Sequence, residues 1–549
     1  VYLKSMPQLE RTTPIFSNRE GDHAMRIACV QMEARSTEEE SFALEDALER
    51  VDEAASEGAD LVLLPEAVWP GYVLGPWLRE RSPEEVAARS RGVWEVFSRK
   101  SRERHIGLAA GMLTVRSERY YNSLVLFGPR GEELGRGDKR FLWHFDRLWF
   151  TPGETVQALD TPWGKVGLLV CADARIPEIT RTLVRQGAWL ILDGANLVSA
   201  GGDLAAATNQ QVEFILSSRA RENGVYLAMA NKVGLERDAV LYCGRSSLWN
   251  PRGELLCQAR NPQEQILYGE VDPSSARQAR REISFPRKIW HFLGEVRDGT
   301  ILESPRKAEN ALVLVGMVQK DWSSPDSPEW LERALWDLHA QGASLVLLPP
   351  FTEKRSSSEA PNVVEKRLRK LSGFYPNLIL ACRFEKGEEE CSLVLVGGEE
   401  LAPLPEVPGV ELFSCSWGRF ALLWGNRGEV PEYPRAAALE GADILLWGGG
   451  TADKDALFRC ARTRAAENRI FVALAGEKSG AVFFGPGGEQ LARGLEKRDQ
   501  AVLGSAFVSL ARLKEFVPGT DAIRHRNPGQ YAACFEEEVP ACETKDPRR

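Results

Sequence analysis

The ten cysteines of this 549-residue chain include no C-x-x-C pair. That absence rules against a zinc ribbon and a thioredoxin-type motif. A chain this long needs no disulfide staples, so reduced cysteines in a cytoplasmic setting are expected. No apolar run approaches the ~18 residues of a membrane span, so no membrane partner is expected. Positive charge is not in excess: 69 Lys and Arg face 78 Asp and Glu, a net charge of −9. Phosphate backbones require a basic face. No nucleic-acid partner is therefore expected, and the short basic run RQARREISFPRK (277–288) reads as a solvated surface. Residues 1–24 hold no apolar h-region and are expected to form a loose extension, not a signal peptide.

What the chain does contain is an echo of itself. LVLLPEA (61–67) returns as LVLLPPF (345–351), and MRIACVQM (25–32) returns as LVLVGMVQ (312–319). WGKVGLLVCADARIPE (163–178) lies without a gap over WGRFALLWGNRGEVPE (417–432). ARENGVYLAMAN (220–231) matches AAENRIFVALAG (465–476), and GRSSLWNPRGELL (244–256) matches GAVFFGPGGEQLA (480–492). Shared order and spacing over such a length indicate a tandem duplication of a whole domain rather than a short-period solenoid. The expected organisation is an extension (1–24), a first domain (25–275), a connecting segment (276–309), a second domain (310–532) and a polar tail (533–549).

Within each copy, continuous apolar runs such as LVLLP, VGLLV and WLILD read as strands buried on both faces. Polar, alanine-rich segments such as 176–187 and 206–224 read as amphipathic helices between them. The pattern predicts a layered α/β fold. Pro-x-Gly turns inside YYNSLVLFGPRGEEL and GRSSLWNPRGELL predict two hairpins.

Three residues of the first copy carry chemistry at strand ends, where open α/β sheets bind ligands. Glu66 follows LVLLP, Lys139 lies in GRGDKRFLWHFD, and Cys171 ends VGLLV. A cysteine at such a turn meets backbone N–H groups that stabilise a thiolate or an oxyanion. Taken singly, each has a plainer reading as a surface or core residue; the combination is what is informative.

With LLPEAVWPGY, GDKRFLWHFD, CADARIPE, RARENGVYLAMAN and GRSSLWNPRGE in hand, the first copy resembles the nitrilase, or carbon–nitrogen hydrolase, superfamily. The resemblance implies two tandem αββα four-layer sandwiches and a Glu66–Lys139–Cys171 triad acting without a metal or organic cofactor. It assigns Cys171 as nucleophile, Glu66 as general base and Lys139, with the Ala172 N–H, as oxyanion stabiliser. Asp146 stands where many members carry a further glutamate. Tyr72, Trp143, His144, Trp149 and Asn196 lie beside these motifs and either line a pocket or pack between layers. CADAR is similar to the C-x-D-x-R of amidases and carbamoylases, so a small amide or N-carbamoyl substrate is expected. Nitrile hydrolysis, acyl transfer and a non-catalytic binding or scaffold role are the alternatives.

The second copy lacks all three reacting positions. Pro350 falls at Glu66, Gly425 falls at Cys171, and no counterpart of GDKRFLWHFD exists between 397 and 418. Its apolar strands persist, which predicts a packing role. The family's subunits commonly pair, so the two copies are expected to form an intramolecular pseudo-dimer that could self-associate further.

Overall fold

Strands buried on both faces set the frame. In the computed structural model, the described residues are 24–531 except 200–202, 204, 284, 296–310, 321, 323–326, 352–360, 387–388, 405–406, 451–452, 477–479 and 496–498. Nearly all of the expected N-terminal extension, the polar tail and the later part of the connecting segment lie outside the described residues.

The first half holds β1 (Met25–Glu33), β2 (Leu61–Leu63), β3 (Gly107–Arg116), β4 (Arg119–Phe127), β5 (Glu133–Asp138) and β6 (Leu159–Thr161). Then come β7 (Gly164–Val170), β8 (Leu190–Ala195), β9 (Tyr226–Glu236), β10 (Val240–Cys243), β11 (Ser247–Trp249), β12 (Leu255–Gln258) and β13 (Gln265–Val271). One sheet runs β5-β4-β3-β2-β1-β13 and the other β6-β7-β8-β9-β11-β12. They join where Met32 and Glu33 pair with Lys232 and Val233. Both predicted hairpins form, β4 with β5 and β11 with β12.

The second half holds β14 (Leu312–Gln319), β15 (Leu345–Leu347), β16 (Ile379–Lys386), β17 (Glu389–Val396), β18 (Glu399–Glu400) and β19 (Glu411–Cys415). It continues with β20 (Gly418–Trp424), β21 (Ile444–Gly448), β22 (Phe471–Gly476), β23 (Gly480–Phe484), β24 (Gln490–Arg493) and β25 (Gln500–Phe507). Its sheets run β18-β17-β16-β15-β14-β25 and β19-β20-β21-β22-β23-β24, the same two orders as the first half. The register even shifts at matching places, between Leu248 and Trp249 and between Phe483 and Phe484.

Period-two patterning makes the layers. On β1, Ile27 and Cys29 face the second sheet with Leu61, Leu63, Leu168 and Val170. Ala28, Val30 and Met32 face the other way, onto Ala47, Val51 and Phe97. The latter belong to α1 (Glu40–Ser56) and, beyond the short α2 (Gly75–Arg79), α3 (Pro83–Arg104). Each large aliphatic side chain so buried contributes about 1.5–3 kcal/mol. Helix α3 starts where Ser82 accepts the Glu85 N–H and ends at His105 in the left-handed conformation. The second sheet is covered by α4 (Pro177–Arg185) and α5 (Leu216–Asn223). The helix expected over 206–224 is shorter: residues 211–215 form a π turn before α5. That wider turn sets Gln211 Nε2 2.9 Å from the Cys171 carbonyl, a contact a regular helix would redirect.

After α6 (Pro273–Arg280), α7 (Arg287–Glu295) leaves the first half and buries Ile289, Trp290 and Leu293 against Val407 and Ala436 of the second. The second half has α8 (Ser327–Ala340) and α9 (Pro361–Phe374) on one sheet, and α10 (Glu432–Leu439) and α11 (Lys454–Asn468) on the other. Past α12 (Val508–Arg512) the chain crosses back, and Phe516 and Tyr531 pack on the first half's core.

Between the halves the contacts are reciprocal. Arg181 binds Glu432 at 2.7 and 3.1 Å, and Arg435 pairs with Glu178 at 3.2 Å. Arg219 contacts Glu222 (2.6 Å) and Glu467, while Arg464 contacts Glu467 (2.8 Å) and Glu222 (2.7 Å). The Ser218 and Thr463 hydroxyls meet at 2.8 Å. In the sequence repeat 178 matches 432, 181 matches 435, 218 matches 463, 219 matches 464 and 222 matches 467. Residue i therefore contacts j while j's equivalent contacts i's, as across a twofold axis.

Candidate active site

Three tight turns deliver the expected residues. Ala67 after Glu66, His144 before Asp146, and Cys171 itself have φ of 44°, 42° and 54°. Residues other than glycine rarely adopt this left-handed region, and each costs of order 1–3 kcal/mol and persists only where its surroundings impose it. Gly425 adopts φ 59° at the place of Cys171, and a short 3-10 turn follows both. The second half thus keeps the turn with the residue for which it is least strained.

Neighbouring strands shape the Glu66 turn. A Cβ on Gly111 would lie 2.0 Å from the Pro65 carbonyl and 2.7 Å from the Glu66 Cα. By sheet register its counterpart in the second half is Arg383, since Leu63 pairs with Ala109 and Leu347 with Ala381. From β9, Lys232 Nζ donates to the Ala67 carbonyl at 2.8 Å. Glu236 accepts the Tyr72 and Val73 N–H groups and the Tyr242 hydroxyl.

The Lys139 ammonium is wholly buried between two carboxylates, 2.8 Å from Glu66 and 2.6 Å from Asp146. Asn122 Nδ2 donates to the same Glu66 oxygen at 2.6 Å. Burial opposes the charge on Lys139, but Asp146 and Glu66 outweigh it and hold its pKa well above the ordinary value. Burial, with help from the Asp146 charge, pushes Glu66 up despite Lys139 and Asn122. Burial and the Glu66 charge push the Cys171 thiol up, with Lys139 acting against them. Both shifts favour the neutral form, of the Cys171 thiol and of the Glu66 carboxyl alike.

Two further aspartates fix the cysteine turn. Asp193 accepts the Cys171 N–H at 2.8 Å. Asp173 accepts the Arg140, Phe141 and Val170 N–H groups, tying the Lys139 segment to the Cys171 turn. Sequence reading passed over Asn122, Asp193, Lys232 and Glu236, and met Asp173 only as the D of the C-x-D-x-R run. Lys232 and Glu236 did leave a signal, as charges four apart in a largely apolar run.

The remaining expected residues divide. Tyr72 is buried, its ring 5.4 Å from Lys139 Nζ. Asn196 is buried; its carbonyl lies 3.8 Å from Cys171 Sγ, and neither polar atom of its side chain has a hydrogen-bond partner. Ala172 is buried at the start of the 3-10 turn. Trp143 is half-buried, beneath the Arg175 guanidinium at 4.7 Å. Trp149 packs on Phe145, and the His144 side chain is exposed. A cleft of about 500 Å³ lined by Arg181, Arg221, Arg252 and Glu429 opens at the junction of the halves, and none of Glu66, Lys139 and Cys171 lines it. Among the described residues no cluster of three or more His, Cys, Asp or Glu could hold a metal ion, and no helix is long and apolar enough to cross a membrane.

Known proteins match this part of the chain. The carbon–nitrogen hydrolase family model matches residues 26–281. A nitrilase of Pyrococcus abyssi is 31% identical over 251 residues, spanning 45% of this chain and 90% of its own. An (R)-stereoselective amidase of Pseudomonas is 28% identical over 262 residues, 48% of this chain and 90% of its own. The solved amidase from Nesterenkonia is 27% identical, covering 48% of this chain and 96% of its own at a TM-score of 0.41. With the family's model and a relative matched over nine-tenths of its length, the chain belongs to the carbon–nitrogen hydrolase family.

Proposed function

We propose that the first half hydrolyses a small amide or N-carbamoyl compound through a Cys171 acyl-thioester, and that the second half serves as its permanent dimer partner. The observation that carries the chemical reading is the buried Glu66–Lys139–Asp146 cluster, together with a Cys171 turn fixed by Asp193. Cys171 Sγ attacks the substrate carbonyl carbon while Glu66 takes the thiol proton. Negative charge develops on the carbonyl oxygen, and Lys139 stabilises it. The Cys171 N–H is held by Asp193, so the backbone donor in this reading is the Ala172 N–H. The C–N bond breaks as Glu66 returns the proton to the leaving nitrogen. A water then gives its proton to Glu66 and attacks the thioester carbon, and the C–S bond breaks as Glu66 returns that proton to sulfur, which releases the acid and the free thiol.

Relatives named amidase and nitrilase favour this reaction class. The C-x-D-x-R run at Cys171 favours amide over nitrile. Amides, N-carbamoyl amino acids and nitriles are to be compared by ammonia release, with mass spectrometry of trapped Cys171 adducts. Cys171→Ala should lose activity by about 10⁴-fold or more while staying folded. Substantial turnover in that variant would overturn the assignment, and a chain that never carries a Cys171 adduct would favour a binding role.

A further inference from the structure

The second half reaches the candidate active site of the first. Its last described stretch runs along residues 141–153, the segment that begins just after Lys139 and carries Asp146. Thr520, fully buried, accepts the His144 N–H on its hydroxyl at 2.8 Å. The Phe516 ring stacks on Trp143 at 5.7 Å and meets Phe141 edge-on at 5.8 Å. His525 Nε2 lies 2.6 Å from Arg147, and Gln530 donates to the Gly153 carbonyl. Gly153 in turn donates its N–H to the Lys139 carbonyl at 2.8 Å.

These contacts grip a turn that the local sequence does not favour. His144 is left-handed, and its N–H goes to the other half. Two residues on, Asp146 accepts the Trp143 N–H on the same oxygen that meets Lys139. Loss of the Thr520 acceptor would leave the His144 N–H without this partner and let the turn relax, and Lys139 would lose its second carboxylate. The stretch is itself fastened, since Arg526 pairs with Glu178 at 3.0 Å and donates to the Leu293 carbonyl.

We propose that residues 515–530 form a strap in which Phe516 and Thr520 are positioning residues for the reaction of the other half, acting through Trp143, His144 and Asp146. The second half thereby affects the reaction without a reacting residue of its own. The proposal rests on the reading of Lys139 and Cys171 given above. In the full-length chain, Thr520→Val removes the acceptor at nearly constant volume, Thr520→Ser restores it, and Phe516→Leu removes the ring stack. Displacing a reacting group by about 1 Å costs up to about 10²-fold. Thr520→Val and Phe516→Leu should therefore lower kcat by roughly ten- to a hundredfold with little change in KM.

Hydrogen exchange at the His144 N–H should quicken in Thr520→Val, and Thr520→Ser should recover both rate and protection. Wild-type kcat and an unchanged His144 exchange rate in Thr520→Val would overturn the strap. A loss that Thr520→Ser does not recover would also overturn it, as general damage. Cys171→Ala, assayed alongside, keeps the two readings apart. If it retains turnover, the chemical reading fails; if it is inactive while Thr520→Val is normal, only the strap fails.

Discussion

Asp146 sits where two requirements meet. One oxygen accepts the Trp143 N–H, shaping its own turn, and the same oxygen holds Lys139 at 2.6 Å. Its charge also adds to burial in raising Glu66. Asp146→Asn removes that charge and keeps most of the shape. In the proposed reaction Glu66 must be ionised to accept the thiol proton, so its raised pKa should set the acid limb of the rate profile, above the ordinary value of 4.5. Without the Asp146 charge Glu66 loses a proton more easily, and the acid limb should move to lower pH. The plateau rate should fall, by about 10² or more, because Lys139 loses a partner. A pH–rate series on both proteins checks this; an unmoved acid limb at full rate would make Asp146 a bystander to the reaction.

At the level of elements, Gly111 on β3 is the least substitutable position, because its missing side chain is the room into which the Glu66 turn packs. The atoms a Cβ would meet are backbone, which cannot swing aside. Gly111→Ala should cost about 1–3 kcal/mol or more in stability and depress activity more than proportionally, by denaturant midpoint and kcat. Much of this frame was legible beforehand. Runs such as LVLLP and VGLLV announce strands covered on both sides, and the gapless match of 163–178 to 417–432 led directly to Gly425. What stayed hidden shares one physical trait. Asn122 and Asp193 act by single hydrogen bonds and Asp173 by a few that join separate segments, and such contacts leave no periodic trace. Thr520 is 376 residues from the N–H it accepts. The π turn at 211–215 reads as helix because one extra residue per turn barely disturbs an apolar pattern.

For the molecule as a whole, the buried ring of Arg219, Glu222, Arg464 and Glu467 spans the joint. Removing one member of a buried charge set is expensive because its partners stay charged; Glu222→Gln should cost about 3–5 kcal/mol by chemical denaturation. Burial alone would raise Glu222, but Arg219, Arg464 and Arg181 overcome it and hold its pKa below the ordinary 4.5. Its stabilisation is therefore complete above pH 4.5 and is lost as the pH falls through the lowered value. Acid should loosen the joint before alkali does, and thermal scans from pH 7 down to 3 should show it. A chain ended near residue 300 would leave Arg181 without Glu432 and Glu222 without Arg464, and should self-associate or lose activity in light scattering and turnover assays. In the whole chain both sides of the joint lie on one polypeptide, so closing it is a first-order event. A two-subunit enzyme falls apart on dilution and loses specific activity. This one should hold the same turnover per molecule from micromolar to picomolar concentration, and no inactive copy made in the same cell could poison it by exchange.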